Sequence, residues 1–469
     1  MTTAIQLTPQ DTIERALKLA AAEGAQGCVV LVAETSSANL RWANNTLTTN
    51  GAMRGSSVTV IATVGAGEGT AAGVVGRSSA TDASLGEIVS AAVAAARESG
   101  PAEDARPLVD GTVGPGWDDE ADETDVSVYE SFAPALGEAL TRAGKESRWL
   151  YGFADHGVTT LYVGSSAGLR LRQTLKRGYV TANGKSSDLS QSAWVGAATR
   201  DFTDIDPLAI DAELTRRLSW ATRTVSVEAG RHPTVLTPAA VADLMTHMYR
   251  KLDGREAHEG RSVFSKPAGG SRIGEALSPQ PVRFWSDPML GGLETFPFVA
   301  AQSSGGSQSV FDNGLTLTAT DWIRGGKLEN LMQSRFTAEL TGAPAVTPAI
   351  GNYALSVDGA TGSVDDLVAG LDHGLLVTCL WYIRIVDPQT LLLTGLTRDG
   401  VYLVENGEVT GAVNNFRFNE SPVDILARFT KAGATVPSFS REWGDEFSRT
   451  ATPPLLVPDY NMSSVSQAN

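Results

Sequence analysis

From Gly254 onward this chain is punctuated by glycine too closely for long helices. The first such run, GREAHEGRSVFSKPAGGSRIGEALS, has glycines at 254, 260, 269, 270 and 274, and each glycine inside a helix costs about 1 kcal/mol relative to alanine. Short strands joined by turns are the architecture this leaves, so residues 231–469 are read as a β-rich C-terminal domain. Its clearest turn is Glu405-Asn406-Gly407-Glu408, because Asn-Gly tolerates the positive φ angles of a tight hairpin.

The N-terminal half mixes both kinds of element, and a chain of 469 residues is long enough for two or three domains. Thr8-Pro9-Gln10-Asp11 is a helix-start pattern, followed by an amphipathic segment to Glu23-Gly24. Short strands are expected over Cys28 to Ala33, Asn39 to Ala43, Thr46 to Thr49 and Ser57 to Val64, with Asn44-Asn45 as a turn. An alanine-rich helix follows over Asp82 to Glu98, so residues 1–100 form an α+β region. Residues 101–128, with prolines, glycines and an acidic run, read as a connector. A helix over Val128 to Glu146, hairpins from Gly157 to Trp194 and a helix over Pro207 to Thr222 make 129–230 the part that completes the N-terminal domain. A strand at Thr234 to Leu236 then leads into a helix over Pro238 to Leu252, capped by Thr237.

Charge narrows the partners. Lys and Arg total 37 against 53 Asp and Glu, a net charge of -16 that repels nucleic acid and anionic membranes. Cys28 and Cys379 are the only cysteines, too few for a disulfide framework or a cysteine-cluster metal site. No segment reads as a signal-peptide core or a membrane span, so the expected location is cytoplasmic.

His258-Glu259 begins a zinc-peptidase pattern and does not complete it. A second imidazole is needed four or five residues on, where this chain has Ser262 and Val263. Gly260 follows at once, which places the pair on a loop. On the helix from Pro238, the residues Val241, Leu244, Met245, Met248 and Leu252 form one apolar stripe. His247 lies roughly 120° around the helix from the stripe's centre, and one imidazole cannot hold a catalytic zinc. Cys379 sits in Leu375–Trp381, a run that reads as a buried strand in which a thiol is a packing group. His156, His232 and His373 are scattered and suggest no shared ion.

Gly164-Ser165-Ser166-Ala167-Gly168 matches a nucleophile-elbow pattern, but the alternating Leu169-Arg170-Leu171-Arg172 after it predicts a hairpin turn instead of the required helix. The glycine runs at 65–69, 269–274 and 304–306 complete no phosphate-binding fingerprint. Trp381, Tyr382 and Arg384 form a dense aromatic and cationic segment suited to an interface or peptide groove. Burial of Trp381 in a core accounts for it equally well.

One resemblance ties these segments together. Gly260–Ser265, Arg272-Ile273-Gly274-Glu275, Ser286-Asp287-Pro288, Gly291-Gly292-Leu293, Phe296-Pro297-Phe298 and Gly400–Glu408 resemble, in order and spacing, the TldD/PmbA (TldD/TldE) metallopeptidases. The resemblance implies a two-domain α+β protein. It also implies that metal-binding members carry a His-Glu-x-x-x-His helix shortly before the loop at Gly260, and a cysteine ligand in the C-terminal segment. This chain has neither, and so looks like the PmbA/TldE-type subunit that lacks the zinc motif, with no metal ligand of its own. A zinc-bearing TldD-like partner and a peptide substrate are then implied, with zinc in the partner. Candidate residues are His258 and Glu259 for chemistry, and Arg261, Trp381, Tyr382 and Arg384 for substrate or partner contact. Two rivals stand beside this: a hydrolase or modifying enzyme acting on a small peptide or amino-acid-derived metabolite, with a metal site assembled from dispersed residues such as His258, Glu259 and Cys379, and a scaffold or binding module unrelated to proteolysis.

Overall fold

The computed structural model describes residues 7–466. Helix α1 (Pro9–Ala22) starts where the Thr8 hydroxyl accepts from the Asp11 N–H, with Pro9 at the first helical position. Strands β1 (Gly27–Ala43), β2 (Thr46–Ala66) and β3 (Gly69–Ser78) follow, then α2 (Asp82–Glu98).

The four short strands expected between Cys28 and Val64 are two long ones. Asn44 and Asn45 take φ of 49° and 60°, the geometry of a two-residue hairpin turn, and the ladder runs from there with one irregularity at Arg41/Trp42. Residues between Thr49 and Ser57 looked like a gap because they are polar, small and glycine-containing. They are strand nonetheless, since the ladder to β1 continues in register through them and alternate residues exchange backbone hydrogen bonds across the hairpin, even though most of the side chains face solvent.

Residues 99–125 hold no helix and only an isolated bridge, Val113 to Arg170. The helix expected from Val128 opens with a 3₁₀ turn, Val126–Tyr129, before α3 (Phe132–Lys145). Then come β4 (Trp149–Ser165), β5 (Arg170–Lys185), β6 (Ser192–Thr199) and α4 (Pro207–Trp220). The six strands make one antiparallel sheet in the order β3-β2-β1-β4-β5-β6. Ile13, Ala16 and Leu17 of α1 and Ile88, Val89 and Ala92 of α2 pack on Val30, Val58 and Val60. Gly73 allows this closeness, because a Cβ there would lie 2.2 Å from the Ala92 carbonyl oxygen. Helices α3 and α4 share a second core with Leu40, Leu150, Val180 and Phe202.

The rest of the chain is strand-rich. In order it contains β7 (Thr224–Val225), β8 (Gly230–Leu236), α5 (Pro238–Tyr249), α6 (Gly254–His258), β9 (Val282–Ser286), β10 (Thr320–Arg324), β11 (Lys327–Leu328), α7 (Arg335–Thr341), β12 (Tyr353–Val357), α8 (Val364–Ala369) and β13 (His373–Val377). Then follow β14 (Trp381–Asp387), β15 (Leu392–Leu396), β16 (Val401–Glu405), β17 (Glu408–Val413), β18 (Phe416–Glu420), α9 (Pro422–Arg428), β19 (Lys431–Ala432), β20 (Val436–Ser438), β21 (Thr450–Thr452) and β22 (Leu455–Val465). Two sheets result, one ordered β11-β10-β9-β12-β21-β20 and one ordered β14-β15-β18-β22-β8-β13-β16-β17-β7, with β19 on β22. The β16–β17 turn is the expected Asn-Gly hairpin, with φ of 53° at Asn406 and 79° at Gly407. The fold is α+β, with two domains.

Helix α5 lies in the core that both sheets share. Its Leu244, Met245 and Met248 cluster with Phe284, Trp322 and Tyr353 from one sheet and with Leu375, Phe416 and Tyr460 from the other. The single apolar stripe expected for this helix is therefore corrected: every residue from Ala240 to Tyr249 is buried, Asp243, Thr246 and His247 included. Among the described residues no helix is long and apolar enough to cross a membrane.

Candidate functional site

A helix buried on all sides must find partners for its polar side chains inside the protein. Helix α5 begins at Thr237, whose hydroxyl donates to the Thr378 carbonyl at 2.8 Å and so fixes the helix start against the end of β13. Thr246 bonds the Ala242 carbonyl and the Tyr353 hydroxyl, both at 2.9 Å. Asp243 is fully buried and takes the most partners. Its Oδ2 accepts from Leu380 N at 2.8 Å, and its Oδ1 accepts from Ser440 Oγ and Arg441 N, both at 2.7 Å, with Glu442 N at a longer 3.4 Å. Burial pushes the Asp243 carboxyl up to about 7, while these donors pull it down.

One turn on, His247 Nε2 faces the indole of Trp443 at 3.1 Å. An indole nitrogen can only donate, so this imidazole nitrogen is unprotonated and its lone pair is engaged. Burial, then the charges of Arg250 and Arg384, push His247 down to about 4. Residues 440–443 thus fold over α5 as a clasp, and Glu442 extends it. Its carboxylate accepts from Ile383 N at 2.6 Å and from Arg384 Nη1 at 2.7 Å.

Arg441 anchors the clasp to the N-terminal domain. Its guanidinium donates to Asp399 Oδ2 at 2.6 Å and Arg398 O at 2.7 Å, contacts Cys379 Sγ at 3.3 Å, and lies against the rings of Trp381 and Trp194 at 4.9 and 5.5 Å. Burial alone would raise Asp399, but Arg441 and the Ser192 hydroxyl hold its carboxyl below the usual range. Cys379 is corrected in one respect. It lies in the break between β13 and β14 instead of within a strand, completely buried beside Trp194 and Phe439, and burial pushes its thiol up.

The residues singled out in the sequence separate into two places. Trp381 and Arg384 join the clasp, and Tyr382 stands beside it on β14. The ladder shifts register between Trp381 and Arg384, leaving Tyr382 at φ 54° with its side chain 55 % exposed. His258 and Glu259 are not on a loop: His258 ends the five-residue helix α6, which the Asp253 carboxylate caps, and Glu259 closes it. That cap, and packing of Ala257 in the core, sustain one helical turn despite the surrounding glycines. Glu259 accepts from Arg255 Nε and Arg261 Nε, each at 2.9 Å, and these two bonds hold its carboxyl below the usual range. His258 is exposed. Gln389 Nε2 reaches the Gly260 carbonyl at 3.4 Å, which ties the β14–β15 turn to this corner.

Other expectations are met. Gly164–Gly168 is the β4–β5 turn, in which the Ser165 hydroxyl accepts from Ala167 N and Leu169 N and is not presented as a nucleophile. Sequence reading missed Asp243 and the 440–443 clasp. The available signal was an aspartate inside an otherwise apolar helix, four residues before a histidine.

A zinc site does not fit here. Counting a His-Glu-x-x-x-His frame back from His247 puts Ala242 and Asp243 in its first two places. Ala242 has no donor atom, Asp243 is spent on protein donors, and the Nε2 lone pair of His247 is spent on Trp443. Among the described residues no three His, Cys, Asp or Glu side chains are grouped to hold a metal, and His258, Glu259 and Cys379 are no exception.

The sequence profile described as "PmbA/TldA metallopeptidase C-terminal domain" matches residues 229–464, a span holding α5, the β13–β14 break and the clasp. The chain belongs to the TldD/PmbA family. The TldD/PmbA fold covers nearly its whole length. A TldE from Thermococcus kodakarensis superposes with a TM-score of 0.76 at 16% identity, covering 96% of this chain and 99% of that one. A protein described as a putative modulator of a DNA gyrase, from Thermotoga maritima, gives 0.74 at 17% identity, with 97% and 100% covered. A third, with a like description, from Bacteroides thetaiotaomicron, gives 0.75 at 15% identity, with 97% and 99% covered. At these identities the likeness is one of fold. No curated protein matches the sequence.

Proposed function

We propose that this chain is the non-metal subunit of a TldD/TldE-like zinc metallopeptidase. It pairs with a zinc-bearing TldD-like chain, walls the chamber in which peptides or unfolded segments are processed, and supports the active subunit, with the pair working in the cytoplasm. The carrying observation is the carboxylate of Asp243. In the helix where this family's metal members carry their motif, the acidic residue is bound by Leu380, Ser440, Arg441 and Glu442 and is not free to act as a base or ligand. The helix has become a fastening for the clasp. Tyr382 and Arg384, which β14 displays to solvent beside that clasp, are the contacts proposed for partner or substrate.

Co-expression with a chain bearing a complete His-Glu-x-x-x-His helix tests this. One zinc per pair, assigned to the partner, and peptide hydrolysis by the pair but not by this chain alone are expected. Stoichiometric zinc and full peptidase activity in the isolated chain would overturn it.

A further inference from the structure

Strand β6 is a free edge of the first sheet, and the hairpin before it fixes which of its groups point outward. Ser186 N donates to Gln191 O at 3.1 Å, so Gln191 faces β5. With a period of two, Ser192, Trp194, Gly196 and Ala198 turn their N–H and C=O groups away from the sheet. Trp194 bears this out, since its carbonyl accepts from Arg217 Nη1 at 2.6 Å. Gly196 lies close under the Trp194 and Phe439 rings, where a Cβ would come within 2.5 and 2.6 Å of ring atoms.

A cavity of about 540 Å³ is lined by Trp194–Ala198 of this edge strand and by β20, an edge strand of another sheet. That volume suits a ligand site. Its apolar walls are Ile205, Trp220, Val364, Val436 and Phe439. The cations lining it are already engaged, Arg217 by Glu213 and Arg216 by Asp365. Asp204, also in the lining, takes the Thr199 hydroxyl and makes no ion pair among the described residues.

We propose that this chain has a peptide-capture site of its own here: an extended apolar segment adds to the β6 edge through its main chain, seats side chains against the apolar walls and turns a lysine, arginine or amino terminus toward Asp204. The inference rests on the reading that the chain handles peptides. It adds a binding site within this subunit, separate from the chemistry proposed for the partner.

Calorimetric titration of the full chain with acetyl-Lys-Val-Leu-Val-amide tests it, beside the same peptide N-methylated at Leu and the second Val. The parent peptide binds, and the methylated one binds about tenfold more weakly, the worth of one or two main-chain hydrogen bonds. Ala198→Pro removes one outward N–H at an edge, where proline is tolerated, and weakens the parent peptide to a similar degree at unchanged unfolding temperature. Should that variant fail to fold, Val436→Asp, in the same apolar lining, carries the test and also loses binding. No binding of the parent peptide, equal binding of both peptides, or full binding by Val436→Asp overturns the proposal. If the isolated chain ignores the peptide while the pair still assembles and cleaves, this inference falls and the functional reading stands.

Discussion

Trp443 donates its indole N–H to His247 at 3.1 Å while the Arg250 guanidinium lies 4.0 Å from its ring. The indole engages the imidazole as a neutral acceptor, and burial, then the charges of Arg250 and Arg384, holds His247 at about 4, against an ordinary 6.5. Between those values the unfolded chain binds a proton that the folded chain refuses. The contribution of His247 is therefore in place above pH 6.5 and is lost as the pH falls toward 4, at about 1.4 kcal/mol per pKa unit.

Asp243 works in the opposite sense. Its folded value of about 7 exceeds the ordinary 3.8, so its contribution is full below 3.8 and lost as the pH rises through 7. The two windows overlap and offset each other in the wild type. Relative to it, His247→Gln should gain stability on going from about pH 7 to about pH 4.5, because the opposing loss from His247 is gone while Asp243 still takes up its proton. Asp243→Asn should lose stability over the same interval. Urea unfolding at the two pH values decides, and parallel shifts in both variants would show that neither group titrates as described.

Asp243→Asn also carries a fixed cost. An amide can present its oxygen to Ser440, Arg441 and Glu442, but its NH₂ then meets the Leu380 N–H, donor against donor. A loss of about 1–3 kcal/mol at neutral pH is expected, and Asp243→Ala, which abandons all four donors, should lose more. Denaturant midpoints at pH 7 measure both. An alanine variant as stable as the wild type would mean the clasp does not depend on this carboxylate.

Arg441 joins the clasp to both domains through a planar fork and two indole faces. Arg441→Lys keeps the charge but cannot span Asp399 and the Arg398 carbonyl or stack on Trp194 and Trp381. A loss of roughly 2–4 kcal/mol is expected, since Asp399 is left buried and poorly paired. Calorimetric unfolding of the lysine variant should show the lowered transition, and one unchanged from wild type would assign the clasp's stability elsewhere.

Local signals read well in this chain because their causes are local. Thr8-Pro9 starts α1 through a hydroxyl cap three residues from its donor, and Asn406-Gly407 turns β16 into β17 through φ angles these two residues tolerate. The family resemblance was legible for a related reason: Gly260, Gly274, Gly292 and Gly407, in the segments that carry it, sit at positive φ and mark turns. The β1–β2 arm was not, because pairing along 17 registered positions, and no periodicity of either strand alone, keeps its solvent-facing half extended. Asp243 was missed because its partners are 137 and 197 residues away at Leu380 and Ser440. A helix pattern that scores apolar positions assigns a lone aspartate to solvent, and only the second sheet closing over α5 reverses that.

Tyr382 is the residue at which stability and function should part. A tyrosine at φ 54° costs about 1–2 kcal/mol relative to an ordinary backbone conformation, and an exposed ring returns little of it. The ring contacts only partly offset this: Trp381 edge-on at 5.6 Å and the Arg384 guanidinium at 5.9 Å. Strain held at an exposed aromatic is the pattern of a side chain kept for contact with something else. Tyr382→Gly removes the strain, so the isolated chain should be as stable as wild type or more stable by up to about 1 kcal/mol. The same change should weaken assembly with a TldD-like partner or capture of its substrate, read as a raised dissociation constant or a raised KM of the pair. A glycine variant that unfolds more easily yet assembles and turns over normally would make Tyr382 a packing residue and remove β14 from the proposed contact surface.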